Sequence, residues 1–305
     1  MQLMKIPHFG RRALLFFASL LFALYVLAPI GWLVSSSFQS EAEITSVPPH
    51  WIPDHPTLEN FATIFTAKDK VVTYENRKEG DTATGGFIPS TAKNLLPSMW
   101  NSLVVAVAVV ILNLLVSVPA AYALAKIRFI GRDSSIYFML TTRVIPDIAL
   151  VVPFFLFVQQ LGLLDSKLSL IITYLAITVP FSTFILTGYF ESLPDDLDKA
   201  ARVDGCSRLQ TLTLVYLPLA LPSLVAVVLF TFLTSWNEFL LALMFTQTLA
   251  SQTMPIVVAS FTSDFNISFS FINAAGVLAI VPPVVVAIMF ERYIVSGLTA
   301  GAVKG

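Results

Sequence analysis

Charged and amide side chains inside apolar segments are the residues of this chain that could do chemistry. Arg143 and Asp147 lie on either side of Pro146, and Asn237 precedes Glu238 in another apolar stretch. Because ionised groups are costly within a bilayer, such residues either pair with one another or line a pathway for a solute. A guanidinium and two carboxylates could also serve acid–base catalysis, so an intramembrane hydrolase or transferase is one hypothesis.

Hydroxyl and aromatic side chains accompany these charges. In a hydrated pathway, a hydroxyl-rich solute would exchange hydrogen bonds with them, and aromatic faces would stack on sugar rings. The structural alternative is an Arg143–Asp147 pair at i,i+4 on one helical face, together with hydrogen bonds between helices. The candidate pathway residues are Tyr174, Thr178, Arg143, Asp147, Trp236, Asn237 and Glu238.

Composition excludes several function classes. The 305 residues are 56% hydrophobic and 12% charged, and the mean hydropathy is +0.80, which is typical of a polytopic membrane protein. A net charge of -1 gives no basic face for nucleic acid. Because the only cysteine is Cys206 and no zinc, serine-hydrolase or P-loop motif occurs, we expect no metal site and no ATP hydrolysis by this chain.

Six segments are long and apolar enough to span the hydrocarbon core, which needs roughly 20 residues. The first follows Arg11-Arg12, and its charge-free run is longer than the apolar part of a signal peptide, so we interpret it as a retained helix. Internal prolines favour a packed helical bundle. The predicted spans are 13–37, 98–124, 135–160, 168–190, 215–245 and 271–291.

The distribution of lysine and arginine predicts the orientation of these spans. Most basic residues outside the long first loop fall on one side, which places both termini in the cytoplasm. The polar excursion 67–91 within that loop has no assigned role. The predicted regions are the N-terminus 1–12, the first span 13–37, the external loop 38–97, the core 98–291 with its cytoplasmic loop 191–217, and the tail 292–305.

The cytoplasmic loop 191–217 has the features of a rigid docking element. Asp195 and Asp196 can cap a helix, small apolar side chains offer a close approach to a partner, and Gly205 permits a turn with positive φ. The pattern A-A-x-x-D-G is followed by L-P-x-x-x-P. Its residues are Ala200, Ala201, Asp204, Gly205, Leu217, Pro218 and Pro222, and Asp198 and Lys199 directly before it belong to the same candidate docking surface.

This pattern resembles the EAA loop of the membrane subunits of binding-protein-dependent ABC importers. Ser235–Phe239, Asn101-Ser102 and the glycine-rich C-terminus resemble the carbohydrate-uptake, MalG-type branch of that family. The resemblance implies an all-α membrane protein with the transmembrane domain of a type I ABC importer, six transmembrane helices and both termini cytoplasmic.

The resemblance also implies a function and partners. The chain would be a multi-pass permease subunit in the bacterial inner membrane, in contact with lipid, and it would move a sugar or sugar-like solute inward by alternating access. Its partners would be a second homologous permease, two ATPase subunits that bind ATP and Mg, and a periplasmic solute-binding protein, so this chain needs no cofactor. In the family the tail reaches between the ATPase subunits, which here points to Gly297, Leu298, Thr299, Ala300, Gly301 and Lys304.

One position departs from the family pattern, because Lys199 stands where a glutamate is usual. Either Asp198 takes over the role of the glutamate, or the ATPase carries a compensating acid, or the contact is exposed and contributes little. An ion-coupled secondary transporter or channel without an ATPase is the alternative to the importer. The sequence does not name the transported solute, or say which permease contacts it.

Overall fold

The long helices form because apolar segments must satisfy their backbone polar groups internally when no water is available. The computed structural model describes residues 8–66, 93–261 and 269–302, and within these ranges it contains helices and no β-strand. The predicted all-α class is therefore confirmed.

Fourteen helices occur in the described ranges, in the following order. They are α1 His8–Ser37, α2 Glu41–Ile44, α3 Glu59–Thr66, α4 Leu95–Lys126, α5 Arg132–Thr142, α6 Asp147–Gln160, α7 Lys167–Ser192, α8 Asp196–Val203, α9 Arg208–Gln210, α10 Leu217–Leu219, α11 Leu221–Asn237, α12 Leu240–Phe245, α13 Met254–Ser260 and α14 Phe269–Ala302. A π-helical segment, Thr211–Tyr216, joins α9 to α10. The excursion 67–91 lies outside the described residues.

Four described helices can each span a membrane alone, and two bent pairs raise the number to six if each pair is one span. The pair α5 and α6 is bent by 101°, and the helix Arg208–Leu219 meets α11 at 83°. The span predicted at 135–160 is therefore formed by two helices that meet at a sharp bend. Pro146 has an extended ψ of 137°, and a proline also disfavours helical geometry in the residue before it.

The described residues divide into two compact units: the first contains 8–66, 93, 261 and 269–278, and the second contains 94–260 and 279–302. In the second unit, α4, α7 and α11 pack against one another. One apolar cluster surrounds Val105, Leu170 and Phe245, and another surrounds Leu186 and Phe190. Packing in these clusters positions the buried polar side chains of α7 and α11.

In the first unit, the carboxylate of Glu41 caps the start of α14. It accepts hydrogen bonds from the backbone N of Phe269 (3.0 Å) and Ser270 (3.1 Å) and from Ser270 Oγ (2.9 Å). Asn273 Nδ2 donates to Ser36 Oγ (2.9 Å). Because a carboxylate stabilises the positive end of a helix, the segment after α1 fixes where α14 begins.

Candidate functional site

The helix α8 has a defined end. Gly205 follows it with φ of +80°, which confirms the predicted positive-φ turn. Gly205 N donates to Arg202 O (3.1 Å), and Cys206 N donates to Ala201 O (2.9 Å). These two bonds form a Schellman motif, which satisfies the last carbonyls of the helix.

The inner face of α8 is attached to the end of α4. Tyr122 Oη donates a hydrogen bond to Asp198 Oδ1 (3.0 Å), and Arg202 pairs with Asp198 Oδ2 (2.7 Å). Ala201 is buried beside them. The ring of Tyr122 makes edge contacts with the rings of Phe190 and Tyr216. These contacts fix the position of the hydroxyl that binds Asp198 in α8.

Ion pairs flank this attachment. Lys126 Nζ donates to Leu193 O and to Asp195 Oδ1, both at 2.8 Å, and Arg132 pairs with Glu191. The hydrogen bond from Lys126, followed by its charge, lowers the pKa of Asp195. Asp195 therefore binds Lys126, and its side chain makes no capping hydrogen bond to α8, contrary to the predicted capping role.

The outer face of α8 is open. Asp196, Lys199, Ala200 and Val203 follow one another at i, i+3, i+4 and i+7 and are all exposed, so they form one stripe. We call these four residues the α8 outer stripe. The side chain of Lys199 is 74% exposed and pairs with Asp196 at 2.8 Å, and Val203 is 88% exposed. The hydrogen bond with Asp196 raises the pKa of Lys199.

The position of Asp198 excludes one of the three explanations for Lys199. The side chain of Asp198 is only 15% exposed and is occupied by Arg202. Asp198 therefore does not replace the family glutamate on the outer face. The two alanines of the predicted small apolar surface lie on different sides of α8, because Ala201 is buried and Ala200 is exposed. A compensating acid on the partner, or a contact of little energetic importance, remains as the explanation.

The second half of the loop begins with a capping box. Ser207 Oγ accepts from Gln210 N (3.3 Å), and Gln210 Oε1 accepts from Ser207 N (2.8 Å), which reciprocally satisfies two backbone donors. Leu217 is half-buried and Pro218 is exposed. Leu217 thus lies near the corner where the chain turns into α11.

Arg143 and Asp147 lie at the break between α5 and α6, so they do not form the structural alternative of an i,i+4 pair on one helical face. Both are exposed. The Arg143 guanidinium lies 4.6 Å from the centre of the Phe181 ring and 5.2 Å from that of Phe230. Among the described residues, Arg143 has no ion pair within 4.0 Å. Phe181 is at the middle of α7, so the cation lies at mid-depth of a predicted span.

Tyr174, Thr178 and Glu238 form an internal network. Tyr174 Oη donates to Glu238 Oε2 (2.6 Å). The carboxylate of Glu238 also accepts from the backbone N of Leu241 (2.7 Å) and Ala242 (3.0 Å), and thereby caps α12. Thr178 Oγ1 accepts from Asn113 Nδ2 (2.9 Å). Since these groups have partners and are largely buried, the arrangement favours their structural interpretation over direct contact with a solute.

Trp236 and Asn237 line a cavity of about 570 Å³. Its walls come from α11, α13 and α14, with Met254, Pro255 and Pro283 among the lining residues. Trp236 Nε1 donates to Ala279 O (3.2 Å), and Asn237 is exposed. Ligand pockets of this size are typically apolar with a few polar groups. Trp236 and Asn237 therefore stay candidate residues of a solute pathway.

Asp165 was missed by sequence reasoning. It lies before α7 with φ of 59°, and its Oδ1 accepts from the backbone N of Gln247 (2.8 Å) and Thr248 (2.9 Å). Oδ2 accepts from Thr248 Oγ1 (2.8 Å), and Ser251 Oγ also donates to the carboxylate. These bonds, that of Ser251 foremost, hold the pKa of Asp165 well below its usual range. A short polar turn between apolar segments was the only signal in the sequence.

The C-terminal residues assigned to a tail begin as a helix. The backbone of α14 remains helical through Ala302, so residues 297–301 continue the last span rather than forming a separate extended segment. Lys304 lies outside the described residues. The contact of this region with ATPase subunits stays a prediction.

The chain matches a known family over most of its length. The model of the family described as binding-protein-dependent transport system inner membrane component matches residues 114–299. The chain belongs to this family. It is thus a permease component located in the inner membrane, as predicted.

Two relatives match this permease over nearly their full lengths. The sulfoquinovosyl glycerol transport system permease protein SmoH of Agrobacterium fabrum is 33% identical, covering 97% of this chain and 95% of the relative. The trehalose/maltose transport system permease protein MalG of Thermococcus litoralis is 35% identical, covering 97% and 98%. The resemblance to the carbohydrate-uptake branch is therefore confirmed.

A solved structure has the same fold as this permease. The crystal structure of a bacterial ABC transporter involved in the import of the acidic polysaccharide alginate matches with a TM-score of 0.74 and 24% identity, covering 96% of this chain and 100% of that one. This likeness supports the transmembrane fold of a type I importer. Family membership implies an ATPase, a solute-binding protein and a second permease as partners, while the cytoplasmic position of both termini stays a prediction.

Proposed function

We propose that this permease moves a sugar or sugar-like solute from the periplasm to the cytoplasm by alternating access. The names of its relatives support a glycosidic solute: sulfoquinovosyl glycerol for SmoH, trehalose and maltose for MalG, and diacetylchitobiose for DasC of Streptomyces coelicolor. Because these solutes differ in charge and size, the proposal names the class of solute and no single compound.

The observation that carries the proposal is the break between α5 and α6. A half-helix end at mid-depth is the arrangement in which transporters bind solutes, because it frees backbone groups where a path crosses the membrane. At this break Arg143 and Asp147 are exposed. A cation at mid-depth must face water or another protein, and a guanidinium beside a carboxylate can hydrogen-bond the hydroxyls of a sugar.

The α8 outer stripe is the proposed docking surface for the ATPase. Its rear is attached to α4 through Tyr122 and Asp198, so a force on the stripe would pass directly to a membrane-spanning helix. We propose a complex of two permeases, two ATPase subunits and a solute-binding protein. Closure of the ATPases on ATP would turn both permeases outward, and hydrolysis would return them.

The first experiment is co-purification of a tagged chain from its native membrane in mild detergent. A second permease and twice as much ATPase are expected. Ala200→Trp should remove the ATPase and keep the second permease, because the bulky ring occupies the stripe. Ala250→Trp is the matched control, since Ala250 is also exposed but lies beyond α12. Equal retention of ATPase by both variants would contradict the docking surface.

A second experiment separates the importer from an ion-coupled transporter or channel. The purified complex is reconstituted with its binding protein in vesicles, and uptake of a panel of labelled disaccharides is measured with and without ATP. Uptake that needs ATP supports the proposal. Uptake by this chain alone, driven by an ion gradient, would reject it. Arg143→Gln should reduce uptake while the complex remains intact.

A further inference from the structure

The segment between α2 and α3 brings three metal-ligating side chains together. One ligand atom each of Glu43, His50 and Asp54 lies within 4.8 Å of the others. His50 Nδ1 and Asp54 Oδ2 are 3.6 Å apart. The sequence predicts no metal site, because it contains a single cysteine and no H-E-x-x-H motif. We propose that they bind a divalent transition-metal ion of the zinc class.

The backbone places these ligands firmly. Glu43 lies in α2, whose first turn is capped by Ser40. Glu43 Oε1 accepts a hydrogen bond from the backbone N of Asp54 (2.6 Å), and the buried Gln39 donates from Nε2 to His50 O (2.6 Å). Each ligand residue is therefore fixed by a contact that is separate from its free ligand atoms.

The Nδ1 nitrogen of the His50 imidazole lies at this cluster, 3.6 Å from Asp54 Oδ2. This nitrogen is buried and has no hydrogen-bond partner among the described residues. A buried nitrogen without a partner costs free energy, and a bound cation would remove that cost. The nearby Asp54 oxygen is too far away for a hydrogen bond, but it is well placed as a second ligand.

The spacing fits a tetrahedral ion. Zinc lies about 2.0–2.2 Å from nitrogen and oxygen ligands, which puts neighbouring ligand atoms roughly 3.3–3.6 Å apart in a tetrahedral site. The His50–Asp54 distance of 3.6 Å is already close to this value, so only the Glu43 carboxylate must approach further. The side chains of His50 and Asp54 are 40% and 67% exposed, so the cluster lies near the surface, and an ion would reach the buried Nδ1 from the exposed side of Asp54, with a water as the fourth ligand.

The donor set selects the ion. Imidazole suits zinc, nickel and copper, whereas calcium and magnesium prefer oxygen ligands alone. Two carboxylates neutralise the charge of a divalent cation. The bound ion would fasten the α2–α3 segment, whose Glu41 caps α14, and would thereby stabilise the first unit.

The test measures zinc binding by the full-length protein in detergent, in the complex if one forms, with a tag that contains no histidine. After removal of metal by a chelator, zinc per chain and the zinc affinity are measured by elemental analysis and by competition with a chromogenic chelator. We expect one zinc per chain in the wild type and a rise in thermal stability on zinc addition. Binding should be at least about tenfold weaker in His50→Ala and Asp54→Asn.

Two further variants keep the test decisive. Glu43→Gln retains an acceptor for Asp54 N, so the variant should fold. Because it loses the carboxylate charge, its zinc affinity should be at least about tenfold weaker than that of the wild type. His55→Ala is the matched control, because His55 is exposed in the same segment and does not belong to the cluster. Absence of zinc binding by the wild type, equal binding by His50→Ala and His55→Ala, or equally effective competition by calcium would each overturn the proposal.

Discussion

The two ends of α7 are held by different interactions. Before its first residue, the carboxylate of Asp165 binds backbone N–H groups of Gln247 and Thr248. After its last residue, Lys126 donates to Leu193 O, and α8 itself is held through side chains, by the Tyr122–Asp198 hydrogen bond and the Lys126–Asp195 pair. The helix has 26 residues, so the two attachments are about 39 Å apart.

The difference indicates which end is built as a fixed loop and which as a docking element. Hydrogen bonds to the backbone fix the path of the chain itself, and Asn101 adds two more by donating to Leu249 O and Gln252 O, both at 2.9 Å. Side-chain contacts on one face of α8 leave its opposite face free for a partner. The Asp165 end should therefore resist local opening more than the α8 end.

The largest effect is expected from Asp165→Ala, which leaves two N–H groups and two hydroxyls without their acceptor. Amide exchange of Gln247 and Thr248, whose N–H groups bind Asp165, should accelerate about 30- to 150-fold, as expected for the loss of charged hydrogen bonds worth roughly 2–3 kcal/mol. Hydrogen-exchange mass spectrometry measures this. Asp165→Asn should show a smaller change, because its amide oxygen still accepts. Unchanged exchange in Asp165→Ala would show that the clamp does not hold the loop.

A smaller effect is expected from Tyr122→Phe, which removes the hydroxyl that binds Asp198 and keeps the aromatic ring. Loss of one hydrogen bond of about 1 kcal/mol should accelerate amide exchange in α8 by roughly fivefold. The ATPase activity of the complex should also respond less to the binding protein. Tyr25→Phe is the control, because Tyr25 is exposed on α1. Equal behaviour of the two variants would reject the attachment of α8 to α4.

Salt should change amide protection differently at the Asp165 end and the α8 end of α7, whereas pH should not. The lowered pKa values of Asp165 and Asp195 mean that both contributions are present above the usual aspartate pKa of about 3.9 and are lost only as the pH falls through the lower folded value. Protection factors at both ends should therefore be constant between about pH 5 and 8. High salt should weaken protection of α8 only, because each of its ion pairs has at least one partner that is more than half exposed and is therefore screened. Equal sensitivity of the Asp165 loop would contradict this distinction.

The smallest effect is expected from Lys199→Glu. Lys199 is exposed and its only partner among the described contacts is the equally exposed Asp196, so transport should stay within a few-fold of the wild type. Uptake by the reconstituted complex checks this. Loss of transport with an intact complex would show that the ATPase carries an acid matched to Lys199.

The predictable part of the structure follows from local chemistry. The apolar spans, the helix α8 and the turn at Gly205 were predicted because hydropathy and backbone preference act over a few neighbouring residues. The break at Pro146 was missed, although the proline was noticed, because a proline in a span is also compatible with a mild kink. Asp165 was missed because its four donors come from residues more than 80 positions away in the chain.

Hydropathy was enough to predict a helical membrane protein, and the loop 191–217 was enough to indicate which family it resembles. The packing of the helices was needed to show that Asp198 faces inward and Lys199 outward, that Glu238 caps a helix, and that Glu43, His50 and Asp54 meet. Hydropathy and turn geometry could be predicted because they depend on adjacent residues. The partner of a polar side chain depends on which distant segments the packed helices bring within about 3 Å of it.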